Sequence, residues 1–372
     1  WTRGLLEFAA VGLAIVGGWV LFASQIDRST VVGPRGFEMG LMYWPPLGED
    51  TPDETTRVGV GLTLENSEHI VVQVPWSPAE PPAVDIAAWM GGVARAHDHG
   101  LTVALDWMVD GRTALRDAES TPWSFSEPEV VERFLTDVAV TATQYQPEFM
   151  LLGVEVDFLA RNEPQEFRSF VVLYDQAYRA VKVASPSTKV TVSFQLEATV
   201  ASMGHGASLS QSEPVVAFGP LLDVLGLSVY PCQIVPHPDA LPLDYLSAVL
   251  PAGTPVGIFE TSWPTTPADE DRQAAYAAWI LAASNTVPVQ LLVWASTSDL
   301  GGNGRGESPL SPAACSGPVA NWNATLGLWT IEGGPKKAVE PWQLWLRSAA
   351  RVTAAGAAAR GDLIDPVQRP LY

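Results

Sequence analysis

Eight short apolar runs, spread over most of the chain, constrain the fold more than any other feature of the sequence. Each run is rich in Val, Ile, Leu or aromatic residues, and most are apolar throughout rather than alternating. Continuous apolarity is typical of parallel strands that are covered on both faces. The runs are residues 37–43, 69–76, 101–108, 149–156, 189–196, 222–230, 255–260 and 289–294.

Helical patterns lie between most of these runs. The clearest, 83–99, places Ile86, Trp89 and Val93 on one face and is followed by Gly100, a residue that commonly ends helices. Other helices are predicted over 127–145, 164–184, 269–284 and 341–355, whereas the segments after the first and fifth runs are less clear. Strands and helices that alternate eight times predict an α/β fold, a TIM (β/α)8 barrel. An open doubly wound sheet is the alternative, although no Gly-rich phosphate-binding turn follows the first run.

The N-terminal residues 5–26 form a different kind of apolar segment. Its length of about 22 residues is close to the roughly 20 that a helix needs to cross a bilayer. Trp1 and Trp19 are expected near the two membrane interfaces. A cleaved signal peptide with a weak site at residues 22–24 is the alternative, but the run is long for one. We therefore expect a single transmembrane helix as an anchor.

The expected domain organisation follows from these segments. Residues 1–28 form the transmembrane anchor, 29–35 a linker, 36–356 the barrel and 357–372 a C-terminal tail. Because the arm before the anchor is short, we expect it to stay in the cytoplasm. The bulk of the chain is then periplasmic or extracellular.

Charge and cysteine content restrict the partners. With 21 basic and 41 acidic residues the net charge is −20, which argues against nucleic acid as a partner. No Cys/His cluster has zinc spacing, so neither a metal nor another cofactor is expected. The two cysteines, Cys232 and Cys315, lie in predicted loops on one face of the barrel. Outside the cytoplasm they could form one disulfide, and two free thiols are the alternative.

Two of the apolar runs carry a glutamate at their end: Glu155 and Glu260. An acid seldom occurs in such a run without a partner or a function, because burying an unpaired charge is costly. In a TIM barrel the active site lies at the carboxyl ends of the strands. Two carboxyl groups there suit cleavage of a glycosidic bond, in which one protonates the leaving oxygen and the other attacks the anomeric carbon. The pair is therefore the candidate catalytic pair, and a satisfied buried acid is the alternative for each.

Other side chains near the strand ends are candidates for substrate binding. A tyrosine hydroxyl can hold a nucleophile in place, and flat indole faces can stack on a sugar ring. Each of these residues could equally well belong to the core or to a structural loop. The candidates are Trp44, Trp76, Asp106, Trp107, Asp157, Tyr230, Trp263 and Trp294.

The order and spacing of these motifs carry a resemblance to a known family. The segments are Gly153-Val154-Glu155-Val156, residues 225–231 with Tyr230, residues 259–264 with Glu260, Val293-Trp294, and residues 326–342. Together they resemble the retaining glycoside hydrolases of clan A, especially the endo-galactanase and mannanase-like branches, over roughly residues 36–347. The resemblance implies that Glu155 is the acid/base after the fourth strand and Glu260 the nucleophile after the seventh. Val154 departs from it, since the clan usually has an asparagine there that binds the sugar 2-hydroxyl.

Two functions from different classes follow. The first is a membrane-anchored, exported glycoside hydrolase that acts on a polysaccharide or oligosaccharide with retention of configuration. The alternative is a catalytically inactive barrel that serves as an extrinsic accessory subunit of a membrane complex, for example a photosynthetic or other energy-transducing assembly. A sugar-binding module without turnover lies between the two. The expected partners are a carbohydrate, the membrane through the N-terminal helix, and other membrane-complex subunits.

Overall fold

Nine parallel strands form one sheet that curves into a nearly closed barrel. The structure is a computed structural model, and the residues it describes are 34–44, 54–79, 84–107, 115, 123–203, 208–265, 269–300 and 322–348. The strands are β1 (Glu38–Met42), β2 (His69–Pro75), β3 (Gly100–Asp106), β4 (Phe149–Leu151), β5 (Lys189–Thr191), β6 (Ser193–Gln195), β7 (Leu225–Val229), β8 (Val256–Thr261) and β9 (Val289–Trp294). Their order is β5-β4-β3-β2-β1-β9-β8-β7-β6. The first and last strands pair with each other, which confirms the predicted α/β barrel rather than an open doubly wound sheet.

The ninth strand arises because the fifth predicted run is divided at Val192. Its first half, β5, pairs with β4, and its second half, β6, pairs with β7. The chain passes close to β7 at this point, since a Cβ on Gly226 would overlap with the carbonyl of Val192. The eight predicted runs therefore correspond to eight barrel positions, of which the fifth is interrupted.

Ten α-helices are described. They are α1 (Glu54–Glu65), α2 (Val84–Ala96), α3 (Pro128–Tyr145), α4 (Asp157–Asn162), α5 (Pro164–Ala184), α6 (Leu196–Met203), α7 (Glu213–Phe218), α8 (Tyr245–Val249), α9 (Glu270–Ser284) and α10 (Val339–Leu346). Helix α3 begins with Pro128, whose fixed φ and missing N–H suit the first turn. Helices α1 and α6 occupy the segments after the first and fifth runs, where the sequence pattern was unclear.

Two apolar clusters form the core. One lies inside the barrel and consists mainly of strand residues, including Val71, Phe149 and Phe259. The other contains both strand and helix residues, for example Trp76 of the segment after β2 and Phe134 of α3, and so lies between the sheet and its helices. The strands are thus covered on both faces, as their continuous apolarity predicted.

The membrane anchor stays a prediction. None of the helices that the structure describes is both long and apolar enough to span a bilayer. The predicted N-terminal helix (5–26) and the predicted C-terminal tail (357–372) lie outside the described residues. From Arg35 onward the chain groups into one compact unit.

Candidate active site

Glu155 and Glu260 are contributed by two different barrel strands. Glu260 lies within β8, next to its last residue, and Glu155 follows β4 after a short turn. Around the barrel, the divided fifth strand and β7 lie between them. The carboxyl ends of parallel strands meet at one end of a barrel, so both carboxyl groups belong to that end. Both side chains are buried, with relative exposures of 7% for Glu155 and 8% for Glu260.

A hydrogen bond from Tyr230 holds Glu260. The hydroxyl of Tyr230, directly after β7, donates to Oε2 of Glu260 over 3.2 Å. Strand β8 is irregular next to it: Leu227 pairs with Ile258 and Ser228 with Glu260, so Phe259 is an extra residue in the ladder. Such a bulge releases the following side chain from strict alternation and can re-aim it. The bulge therefore explains how Phe259 fills the barrel interior while the next residue, Glu260, reaches the tyrosine.

Glu155 has an unusual backbone conformation. Its φ of 50° is in the left-handed region, which costs a residue with a side chain roughly 1–3 kcal/mol. The turn is held by the fifth strand, because the N–H of Glu155 donates to Oγ of Ser193 over 2.9 Å. The N–H of Val156 donates to the carbonyl of the same Ser193 over 3.0 Å. Strain of this kind persists where the surroundings enforce it and is concentrated at functional sites.

Asp157 lies two residues further on, at the start of α4, and is almost fully buried. One of its oxygens accepts the N–H of Gln195 over 2.8 Å. Burial raises the pKa of Asp157 to about 7; the hydrogen bond from Gln195 opposes this rise, and the negative charge of Glu155 adds to it. Asp157 is therefore electrostatically coupled to Glu155, as like charges nearby raise each other's cost of ionisation.

A second buried acid, Glu197, supports Tyr230. Its Oε2 accepts the backbone N–H of Tyr230 and the side-chain amide of Gln195, each over 2.9 Å. Its Oε1 accepts the hydroxyl of Tyr245 over 3.2 Å. Burial raises the pKa of Glu197 to about 7, and these hydrogen bonds oppose the rise. A continuous chain of contacts thus runs from Gln195 and Glu197 through Tyr230 to Glu260.

Asp106, at the end of β3, accepts the side-chain amide of Gln73 on β2 over 2.9 Å. The two are in paired strands, where Gln73 lies opposite Ala104. The sequence placed Gln195 and Glu197 near the end of the fifth run, but Gln73 and Ser193 were not predicted. Their only signal is that each is a polar residue within an otherwise apolar run.

The predicted tryptophan platforms belong largely to the core. Trp76, Trp107 and Trp294 are fully buried, and Trp263 nearly so. Their indole rings pack against core aromatics, as in the edge-on contact of Trp76 with Phe134. The first three also have their N–H groups bonded, to Asp137, to the carbonyl of Leu152 and to the carbonyl of Leu326 respectively. Only Trp44, whose N–H donates to the carbonyl of Ala295, keeps partial exposure among the five predicted rings.

The structure also describes Val154 and one of the two cysteines. Val154 is buried in the cluster inside the barrel, where its side chain packs against other apolar residues. Cys232, in the short turn after β7, is buried and disulfide-bonded. Its predicted partner, Cys315, lies outside the described residues.

Solved structures of several glycoside hydrolases are similar in fold to this barrel. A GH5_18 protein from Bifidobacterium longum, in complex with Manβ1-4GlcNAc, aligns over 85% of this chain and 80% of its own, with a TM-score of 0.62 and 14% identity. The exo-β-1,4-mannosidase Op5Man5 from an Opitutaceae bacterium aligns over 87% of this chain and 62% of its own, with a TM-score of 0.59 and 18% identity. A GH113 β-1,4-mannanase aligns over 84% of this chain and 99% of its own, with a TM-score of 0.53 and 14% identity.

At such identities the likeness concerns the fold alone. Neither a protein-family model nor a curated protein sequence matches the chain. The expected glycoside-hydrolase-like barrel is thus confirmed as a fold, while the roles of its side chains stay predictions.

Proposed function

We propose that this barrel is a retaining glycoside hydrolase that acts on β-linked mannosides. The observation that carries the proposal is the placement of Glu155 after the fourth barrel strand and of Glu260 at the end of the seventh. A tyrosine hydroxyl fixes Glu260, while the surroundings of Glu155 are different: a left-handed turn with Asp157 close by. Two carboxyl groups in unlike environments are what an acid/base and a nucleophile require. The substrate class is supported by the ligand of one similar structure, Manβ1-4GlcNAc, and by the names of two others, an exo-β-1,4-mannosidase and a β-1,4-mannanase.

The proposed reaction has two steps. Glu260 attacks the anomeric carbon while Glu155 donates a proton to the departing oxygen, which gives a glycosyl–enzyme ester. Glu155, now a carboxylate, then takes a proton from water, whose oxygen displaces Glu260 from the sugar. The hydrogen bond from Tyr230 restrains one oxygen of Glu260, so that the carboxylate is oriented before substrate arrives. Configuration at the anomeric carbon is retained because it is inverted twice.

Export and membrane attachment are part of the same proposal. The apolar segment 5–26 has the length of a bilayer-spanning helix. The disulfide of Cys232 supports an oxidising location, since disulfides persist outside the cytoplasm. The domain is then presented to extracellular or periplasmic glycans.

Glutamine substitutions of the two glutamates test the proposal. Hydrolysis by each variant is measured on aryl β-mannosides with a good and with a poor leaving group. Glu260→Gln is expected to lower turnover of aryl β-mannosides about a thousandfold or more, whatever the leaving group. Glu155→Gln is expected to lower kcat/KM only for a poor leaving group, because dinitrophenolate departs without protonation. Its kcat falls for both leaving groups, because Glu155 is also the base of the second step. The exposed Glu213→Gln on α7 is the control. Unchanged turnover in both site variants, or a first product of inverted configuration by NMR, would contradict the proposal.

One observation favours a second candidate, an inactive barrel that serves as an accessory subunit of a membrane complex. Val154 is buried in the barrel core, so the usual contact to the sugar 2-hydroxyl is not made from this position. Extraction in mild detergent discriminates the two functions. Stoichiometric co-purification with membrane subunits, together with no turnover of any aryl glycoside, would favour the accessory role.

A further inference from the structure

Three side chains with metal-binding atoms converge at the amino end of the barrel, opposite the candidate active site. Glu38 is the first residue of β1, His69 the first of β2, and Glu148 directly precedes β4. Nδ1 of His69 lies 3.4 Å from Oε2 of Glu38 and 3.3 Å from Oε2 of Glu148. One potential ligand atom from each residue lies within 4.8 Å of the other two.

The contact of Nδ1 with Glu38 is a long hydrogen bond, and both separations also fit ligands that share an ion. A charge-assisted N–H···O bond to a carboxylate spans about 2.7–2.9 Å, and the single proton on Nδ1 cannot serve two carboxylates at full strength. In a tetrahedral zinc site with bonds of about 2.0–2.2 Å, neighbouring ligand atoms are about 3.3–3.6 Å apart. Both observed separations agree with this edge length within the usual tolerance.

The second nitrogen of His69 is positioned as metal-bound histidines require. His69 is fully buried, and its Nε2 lies 2.7 Å from Oγ1 of Thr102 on β3. If Nε2 carries the proton and donates it to Thr102, the lone pair of Nδ1 points towards the two carboxylates. A hydrogen bond from the outer ring nitrogen is a common way to fix the tautomer and the ring of a ligating histidine.

The surroundings accommodate the imidazole ring and leave a route from solvent to the carboxylates. A side chain at Gly100, the first residue of β3, would overlap with Nδ1 of His69. The φ of this glycine is not in the left-handed region, so its role here is to provide space. The side chains of Glu38 and Glu148 are 32% and 47% exposed, which keeps the carboxylate side open to solvent.

We propose that His69, Glu38 and Glu148 bind a divalent transition-metal ion of the zinc type, with water as the fourth ligand. One imidazole and two carboxylates are ligands that zinc accepts. The ion would cross-link the starts of β1 and β2 to the segment before β4. Because the amino end of such barrels contributes to stability rather than to chemistry, the ion is structural, and the proposal does not depend on hydrolase activity.

Zinc titration of the chelator-treated, full-length protein in mild detergent tests this proposal. We expect one equivalent of bound zinc by calorimetry and a rise in the unfolding temperature with zinc concentration, since the ion binds only the folded state. Glu148→Gln and Glu38→Gln are expected to weaken zinc binding by about tenfold or more, because even outer-shell changes cost that much. His97→Gln, which removes an exposed histidine after α2, is the matched control and keeps full affinity.

Three results would overturn the proposal. They are no zinc binding by the unsubstituted protein, affinity unchanged in both glutamine variants, and equal stabilisation by zinc and by calcium, which prefers oxygen ligands. His69→Gln is not required, so a folding defect at this buried position would not obscure the answer.

Discussion

The carboxylates at the two ends of the barrel differ in the distances to their polar neighbours. At the carboxyl end, Asp157, Glu197 and Glu260 each accept hydrogen bonds of 2.8–3.2 Å from groups that other strands and loops hold in place. At the amino end, Glu38 and Glu148 flank one imidazole nitrogen at 3.3–3.4 Å. The first arrangement orients charges by donors that belong to the protein itself. The second has the spacing of ligands around an ion.

If both proposals hold, one scaffold separates chemistry from stability. Oriented donors keep a carboxylate ready to react, because no bound group has to leave before substrate arrives. An ion at the other end would add stability without touching the reacting atoms. We therefore expect substitutions at the carboxyl end to change both activity and stability, and those at the amino end to change stability alone.

The largest effect on stability is expected at a buried cation of the carboxyl end. Nζ of Lys336 lies 2.6 Å from Asp299 after β9 and 2.9 Å from Thr265 after β8. Burial lowers the pKa of Lys336 and raises that of Asp299, although each charge opposes the shift of the other. Lys336→Met leaves a carboxylate without its partner and is expected to reduce the free energy of unfolding by about 3–5 kcal/mol in urea titrations.

The adjacent Lys337→Met is the matched control for this experiment. Lys337 pairs with Asp271 on the surface, where ion pairs contribute little. We expect no measurable loss of stability. Similar losses in the two variants would break the distinction between oriented buried charges and solvated ones.

A smaller effect, dependent on pH, is expected at Glu197. Its pKa is about 7 in the folded protein against an ordinary 4.5, so the folded state binds the proton more tightly. Stability is therefore lost as pH rises from about 4.5 through 7. Glu197→Gln removes this loss, and its stability relative to the unsubstituted protein should improve by about 3 kcal/mol between pH 5 and pH 8. The measurement is urea unfolding at both pH values, with Glu213→Gln as the control. If the difference in the free energy of unfolding between Glu197→Gln and the unsubstituted protein does not vary with pH, Glu197 is already ionised.

The smallest effect is expected from Tyr230→Phe. This substitution removes the hydroxyl group that donates to Glu260 and keeps the aromatic ring. Loss of a hydrogen bond to a charged group costs about 2 kcal/mol, so kcat/KM for an aryl mannoside should fall between tenfold and a hundredfold. Tyr178→Phe is the control. Its hydroxyl also donates to a carboxylate, that of Asp223, but Asp223 precedes β7 and so lies at the opposite end of the barrel. Equal kcat/KM values in the two variants would mean that Tyr230 only fills the barrel mouth.

The fold was predictable because parallel strands leave a direct mark on sequence. Each of the eight runs overlaps the strand that the structure shows, although β3 begins one residue before its run and β8 ends one residue after it. The fifth run is divided at Val192. The runs overestimated β4, which ends at Leu151 rather than at Val156. After Leu151 the chain enters a turn in which Glu155 has a left-handed conformation, and apolarity alone does not encode that turn.

The sites were less predictable, for reasons that differ between the two ends. Glu155 and Glu260 could be identified as candidates because an acid in an apolar run is conspicuous. The burial of Trp76 could not be predicted, since it depends on Phe134 of a helix about sixty positions away in sequence. Glu38, His69 and Glu148 share no local motif, so their spacing in the sequence does not indicate the proposed metal site. Only strand register, such as His69 opposite Gly100, brings them together.

The left-handed conformation of Glu155 also has an evolutionary consequence. Glycine adopts this conformation without strain, and a side chain costs about 1 kcal/mol or more there. A lineage in which this carboxyl group no longer serves a reaction would gain stability by exchanging it for glycine or asparagine. We therefore expect related chains to keep glutamate at this position where the barrel mouth is in use, and to carry glycine or asparagine where the barrel has become a scaffold.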